Sequence, residues 1–353
     1  MHMPKIKRQY TIDLSLPADE RWAKMIKAER ANARVLIREA KSHMKRQARK
    51  AGCVSQLLAW LAEKTVPSVY RLNEGNFQDD SEVWADGTGL DADDVVLGNL
   101  SYELVLAGQY FDEGWGGFLD AIKRYNPFGC TALSFNLPKA GGVAHVRNLD
   151  WPIKACSTKS VLIHYKGAAG PFTTVGWPSF IGVMSGVAPG RFSATVNMAP
   201  ASRLPSAQWP VAFALRIAFD ECETFDQAVK RLTRFKLSAP ALVMVVGVKT
   251  DQAVVIEHTG KSVRCRWMED GVLAVANHFE HPQLLQHNPD IEEDETDDSE
   301  ERTEMAAEKG CHGAQLPLAR MPSLLGQYPI YWDETVQQMA FIPKTGRYVA
   351  RYC

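Results

Sequence analysis

The strongest constraint on this chain is a change of character at Asn126-Pro127-Phe128-Gly129. Before it, residues 16 to about 48 are rich in Lys, Arg, Ala and Glu, with no Gly and no Pro after Pro17. Leu16-Pro17-Ala18-Asp19-Glu20 supplies a helix start whose acids meet the positive end of the helix dipole, so one long amphipathic helix is expected there. Shorter helices are expected at Val54–Lys64 and Asp93–Ala107, the second announced by Asp91-Ala92-Asp93-Asp94 ahead of an apolar-periodic stretch. After Gly129 come short β-branched runs separated by turns: Cys130–Asn136, Ala144–Asp150, Ser160–Lys166, Arg191–Met198, Ala241–Lys249, Gln252–His258, Ser262–Met268 and Gly271–Asn277. Their close spacing suits antiparallel hairpins, with Gly141-Gly142 as the turn between the first two. Helical patterns interrupt them at Pro210–Cys222, Phe225–Phe235, Ser299–Ala307 and Pro317–Leu325, and Thr335–Pro343 with Gly346–Tyr352 reads as a closing hairpin. Strands and helices segregated in this way predict an α+β layered domain behind a helical leader.

Cys130 stands at the first position of the first strand, directly after a Gly. That is the layout required by an enzyme whose nucleophile is its own new N-terminus. A thiol needs a base to become a thiolate, and cutting the bond before Cys130 creates an α-amine of intrinsic pKa about 8 on the same residue. Taken alone a Gly-Cys pair is weak, because free cysteines are commonly packing residues. The second strand adds to it. Ala144-His145-Val146-Arg147-Asn148-Leu149-Asp150-Trp151-Pro152 carries a guanidinium and a carboxylate in a run that otherwise reads as core, and charges buried there must be paired or functional.

With Cys130-Thr131 and Arg147-Asn148-Leu149-Asp150, the chain resembles the cysteine N-terminal-nucleophile amidases. That superfamily holds choloylglycine hydrolases and penicillin V acylases, and the closer likeness is to N-acylethanolamine acid amidase and acid ceramidase. Leu14-Ser15-Leu16-Pro17, Arg21-Trp22 and Leu97-Gly98-Asn99-Leu100-Ser101-Tyr102-Glu103 are similar to the amidase pro-segment. Ser179–Gly186, Phe225-Asp226-Gln227-Ala228-Val229 and Ala276-Asn277-His278-Phe279 match later segments in the same order.

The resemblance implies an Ntn-hydrolase αββα sandwich, two antiparallel sheets between helical layers. Residues 1–129 become a helical pro-segment, kept as the α chain, and 130–353 the catalytic domain. It implies self-cleavage between Gly129 and Cys130, then hydrolysis of a linear N-acyl amide, a fatty acyl ethanolamide or ceramide-like lipid. Cys130 is then the nucleophile, Asp150 the anchor of its amine, Arg147 the charge beside the thiol, and Asn277 the oxyanion donor. Asn197 matches an asparagine of the bile-salt branch where the ethanolamide branch has an acid, and Arg302 takes the place of a late arginine. Residues three apart on an ideal strand face opposite ways, so Arg147 and Asp150 converge only where the strand ends or bulges. Trp115, Trp151, Phe172, Trp177, Phe180, Met184 and Met198 lie near these segments as candidates for an acyl slot, alongside Tyr102, Leu104 and Val105.

Other readings are weaker. Penicillin V, bile-salt and homoserine-lactone acylases share the chemistry, and a non-catalytic binding protein would keep only the fold. A papain-like protease needs a paired His and Asn motif that is not recognisable. His278 and His281 lack helical two-His spacing and a third ligand, and Asp86–Asp94 lacks the Gly and Glu of a calcium loop, so no metal or cofactor is expected. Ten acids between Asp290 and Glu304 read as a solvated loop. The formal charge of −1, from 40 basic and 41 acidic residues, recommends no nucleic-acid partner. No run approaches the roughly 20 apolar residues of a membrane helix, no secretory leader is visible, and seven scattered cysteines suit a reducing compartment. The expectation is a cytoplasmic location.

Overall fold

The computed structural model describes residues 3–50, 76–106, 129–139, 141–200, 205–206, 208–288 and 298–353. The helix expected at Val54–Lys64 and the position of Trp115 lie outside them. Helix α1 (Ala18–Lys50) buries Trp22, Met25, Ile26, Glu29, Ala33, Leu36, Ile37 and Ala40, the three- and four-residue spacing that gives a helix one packed face. Against it lie α2 (Asn76–Thr88) and α3 (Ala92–Asn99), the latter capped by the Asp91 side chain on the Asp93 N–H. Asp86–Asp94 is thus a helix end followed by a helix cap.

Among the described residues, strands numbered along the chain form two sheets. The larger is ordered β1 (Gln9–Asp13), β4 (Val161–Gly167), β5 (Gly170–Gly176), β6 (Ser185–Ala188), β7 (Phe192–Met198), β8 (Ala241–Val246), β9 (Ala253–His258) and β10 (Val263–Trp267). The smaller is ordered β11 (Val272–Val275), β2 (Cys130–Asn136), β3 (Val143–Asp150), β12 (Thr335–Ile342) and β13 (Arg347–Tyr352). Their inner faces interdigitate through Ala132, Val143, Leu242, Met244, Val255 and Val275 at one end and Leu162, Val187, Met339 and Phe341 at the other. On the outside of the larger sheet, α1, α2 and α3 join α4 (Val211–Glu221) and α5 (Phe225–Arg234) around one large core. On the outside of the smaller sheet, α6 (Asp298–Gly313) and a 3-10 helix (Leu318–Leu325) cover Leu133, Phe135, Ala144 and Val146. The chain is an α+β sandwich of two sheets between helical layers.

The leader is not wholly helical, because β1 lies parallel to β4 and forms an edge of the larger sheet. β1, β5 and β6 escaped the sequence reading, since β1 buries only Ile12, β5 opens on Gly170-Pro171 and β6 has 4 residues. The leader is also tied in by charge. Buried Asp80 accepts from Arg21 Nε at 2.8 Å, Trp22 Nε1 at 2.6 Å and Arg216 Nη1 at 2.8 Å, joining α1, α2 and α4. The Arg216 guanidinium lies 5.0 Å from the Phe77 ring and 5.5 Å from that of Tyr165, cation–π partners that replace part of its lost hydration.

Candidate active site

The β2–β3 hairpin turns through Gly141 and Gly142, whose φ values of 60° and 144° suit residues without a side chain. Its register sets Cys130 opposite Leu149 and Ala132 opposite Arg147, so Cys130 and Arg147 are diagonal neighbours on the face turned to the larger sheet. Arg147 is fully buried and reaches Cys130 Sγ with Nη2 at 3.4 Å. The same guanidinium is held by the carbonyls of Met184 and Val196 and the hydroxyl of Ser185. Burial lowers its pKa, and the neighbouring Cys130 thiol acts in the opposite direction.

Asp150 does not converge with Arg147. The parity of β3 turns it to the outer face, where Oδ1 accepts from Thr335 Oγ1 at 2.7 Å and Oδ2 from Trp332 Nε1 at 2.9 Å. It borders Gly129 instead: its backbone N–H donates to the Gly129 carbonyl at 3.0 Å, and a side chain on residue 129 would place Cβ 2.6 Å from Oδ2. Only Gly fits at 129 without displacing the Asp150 carboxylate. Desolvation raises the Asp150 pKa to about 6 against the pull of its hydrogen bonds. Cys130 is thus flanked on its two sides, by the guanidinium at the sulfur and the carboxylate at the bond before it.

The nitrogen of Cys130 donates to Asn277 Oδ1 at 2.8 Å. That oxygen also accepts from Arg302 Nη1 at 3.0 Å, while Asn277 Nδ2 donates to the Met198 carbonyl at 2.8 Å. Asn277 therefore holds the Cys130 nitrogen, and one of the two hydrogens of its amide is engaged by Met198. Arg302 is buried, donating also to the Cys130 carbonyl at 3.1 Å and Thr131 Oγ1 at 3.4 Å. Asn197 Nδ2 lies within 3.2 Å of the carbonyls of Cys130, Val275 and Ala276, and its buried Oδ1 has no hydrogen-bond partner among the described residues. The structure gathers Gly129, Cys130, Arg147, Asp150, Asn197, Asn277 and Arg302 at one end of the sandwich, from four strands or strand ends and one helix.

Residues 138–311 match the profile of a family described as acyl-coenzyme A:6-aminopenicillanic acid acyl-transferase, a span that starts downstream of Cys130 and includes Arg147, Asp150, Asn197, Asn277 and Arg302. The Caenorhabditis elegans N-acylethanolamine-hydrolyzing acid amidase is 24% identical over 278 residues, 74% of this chain and 68% of that protein. Acid ceramidase from Balaenoptera acutorostrata scammoni is 21% identical over 274 residues, 70% of this chain but 62% of its own length. In sequence the chain is thus similar to N-acylethanolamine-hydrolyzing acid amidase and to acid ceramidase. These relatives indicate an amide-hydrolysing enzyme. The solved C. elegans amidase ortholog superposes with a TM-score of 0.48 at 19% identity, covering 61% of this chain and 93% of that one.

Trp151, next to Asp150 in the chain, meets Trp177 at 6.1 Å, and Trp177 meets Phe180 at 5.7 Å. With Leu36, Ile37 and Ala40 of α1 they line a small, open, apolar crevice whose lining includes none of the residues gathered around Cys130. Phe172 belongs to the core instead, stacked between Tyr165 and Phe219. Met184 and Met198 contribute carbonyls to Arg147 and Asn277, and the Tyr102 hydroxyl donates to the Pro240 carbonyl at 2.7 Å. His145 bridges Ser193 and Thr195, and burial drives its pKa to about 3. Sequence reasoning missed Ser185, Ser299, Trp332 and Thr335, common residue types whose roles depend on pairings across the fold. The acidic segment is in part helical, because 298–304 opens α6.

Proposed function

We propose that this chain is made as a precursor that cuts itself between Gly129 and Cys130 and then uses Cys130 to hydrolyse linear N-acyl amides of the fatty acyl ethanolamide or ceramide class. The observation that carries the reading is the environment of residue 130: a guanidinium nitrogen 3.4 Å from Sγ, and the backbone nitrogen that becomes the amine held at 2.8 Å by Asn277. In the precursor, Sγ attacks the Gly129 carbonyl carbon while the Asp150 N–H, already 3.0 Å from the carbonyl oxygen, takes the developing negative charge. The resulting thioester links Gly129 to Cys130 Sγ and frees the α-amine, and water then releases the Gly129 carboxylate.

In turnover the free amine accepts the thiol proton, Sγ attacks the substrate carbonyl, and the ammonium protonates the leaving amine before water releases the acid. Departure of Gly129 clears the space beside Asp150, so its carboxylate meets the new ammonium. The apolar crevice next to Trp151 supports an apolar acyl group, as do the names of the relatives. Residues 1–129 stay bound as the second chain, supported by β1 in the sheet and the Asp80 ion pairs. The matched acyl-transferase profile favours a variation on the same thioester, in which a small amine replaces water.

The test is direct. Purified protein should resolve into fragments of residues 1–129 and 130–353 by mass spectrometry, with Cys130→Ala remaining whole. The cut protein should release fatty acid from a panel of N-acyl ethanolamides, ceramides, conjugated bile acids and penicillin V. A single uncut chain that hydrolyses none of them would refute the reading.

A further inference from the structure

Asn277 is the group on which the arrangement around residue 130 depends, and the first turn of α6 grips it twice. Arg302 holds its side-chain oxygen, as described above. One turn earlier on the same helix face, Ser299 Oγ accepts the Asn277 backbone N–H at 2.8 Å. The same hydroxyl lies 2.8 Å from Nδ1 of His278, the next residue along the chain from Asn277. All three residues are buried. On its far side His278 Nε2 is 4.0 Å from Glu280 Oε1, and that carboxylate is held by Arg266, itself paired with Glu257.

The chemistry of a hydroxyl gives this geometry a direction. An alcohol oxygen that accepts the Asn277 N–H has one hydrogen of its own, and an imidazole nitrogen at hydrogen-bond distance can receive it. A donor that is itself polarised in this way becomes a better acceptor, and the Glu280 carboxylate favours the His278 tautomer with its proton on Nε2. An Asn side chain has two torsions, so the placement of Oδ1 on the Cys130 nitrogen depends on where the Asn277 backbone is held.

Building on the amidase reading, we propose that His278 and Ser299 are positioning residues for catalysis, fixing Asn277 against the nucleophile so that acyl transfer requires the first turn of α6 to be docked. Neither touches the reacting atoms. They act through Asn277, so their loss should lower kcat and leave KM nearly unchanged.

The experiment compares wild type with Ser299→Ala, His278→Ala and His278→Asn, the last chosen because an Asn amide can stand where imidazole Nδ1 stood. Expected are a kcat lowered about ten- to a hundredfold in both Ala variants, KM within about twofold of wild type, and recovery of most of the loss in His278→Asn. Wild-type kcat in Ser299→Ala, or a loss confined to thermal stability and yield, would overturn the proposal. A second measurement needs no turnover. In the uncut Cys130→Ala chain, amide hydrogen exchange at Asn277 should be slow and should accelerate at least about tenfold when Ser299→Ala is added; unchanged exchange would overturn the contact. If wild-type protein neither cuts nor hydrolyses, the amidase reading fails, and exchange still decides whether Ser299 holds Asn277.

Discussion

Replacing Gly129 by Ala puts a methyl group where the carboxylate of Asp150 already stands. The added Cβ would lie 2.6 Å from Oδ2, and 3.3 Å from both Arg302 Nη1 and Trp332 Nε1, whereas ordinary contact begins at 3.4 Å. The closest pair must therefore part by about 0.8 Å, from 3.4 − 2.6. Asp150 has little freedom to yield, because Trp332 and Thr335 hold its oxygens and its own N–H holds the Gly129 carbonyl. A shift of that size gives up at least one of these bonds, and a hydrogen bond to a charged group contributes about 1.5–3 kcal/mol. If that bond is needed when Sγ attacks, self-cleavage slows by roughly ten- to a hundredfold. The assay is a time course of the 130–353 fragment after synthesis in a cell-free system, with Cys130→Ala as the blank. In cut material residue 129 would be a chain end no longer bonded to residue 130, so kcat should stay near the wild-type value. Cleavage of Gly129→Ala at the wild-type rate would show that the contact between Gly129 and Asp150 has no part in the cut.

Asp150→Asn keeps the shape and removes the charge that is expected to meet the new ammonium, so processing and turnover should both fall; wild-type kinetics in both would remove the anchoring role. Asn277→Ala deletes the acceptor of the Cys130 nitrogen and should cost more than about tenfold in kcat, a loss above about 1.4 kcal/mol; a smaller loss measured in steady state would discard the assignment. Glu103, on the leader, is buried with Oε1 accepting the Val211 N–H at 3.3 Å and the Ser238 hydroxyl at 3.1 Å, and desolvation raises its pKa to about 7 from the usual 4.5. The folded state thus keeps a proton that the unfolded chain releases above 4.5, a stabilisation complete below that value and lost as pH rises through 7. Denaturant melts of the Cys130→Ala chain should lose up to about 2 kcal/mol more between pH 5.5 and 8 than the same chain carrying Glu103→Gln; parallel pH profiles would contradict it.

Much of this was legible from the residues, for a physical reason in each case. Strand β2 was read at its observed bounds, because Cys130–Asn136 lies between a Gly and a turn, and it is buried on both faces. Arg147 stood out because a guanidinium in such a run has no other use. The opposed placement of Arg147 and Asp150 follows from strand parity alone. What could not be read were contacts between residues far apart in sequence: Trp332 and Thr335 meet Asp150 from more than 180 positions away, and Ser299 is an unremarkable serine until α6 folds back on β11. The strand of the leader failed to announce itself because its hydrogen bonds come from β4, about 150 residues later, while its own pattern covers 5 residues.

That strand bears on what a cut before Cys130 can release. Breaking one peptide bond leaves untouched the five-residue ladder between β1 and β4, the ion pairs of Asp80 with Arg216, and the Glu103 oxygen at the start of α4, each of which joins the first 129 residues to the rest. Removing one member of a buried ion pair costs about 3–5 kcal/mol, and separating the two chains would strip Arg216 of Asp80 in addition to opening the sheet edge. The first 129 residues are therefore structural material for the rest of the fold. A cut before Cys130 would free an amine at residue 130 and change little else, which is what a site already assembled around that residue would require.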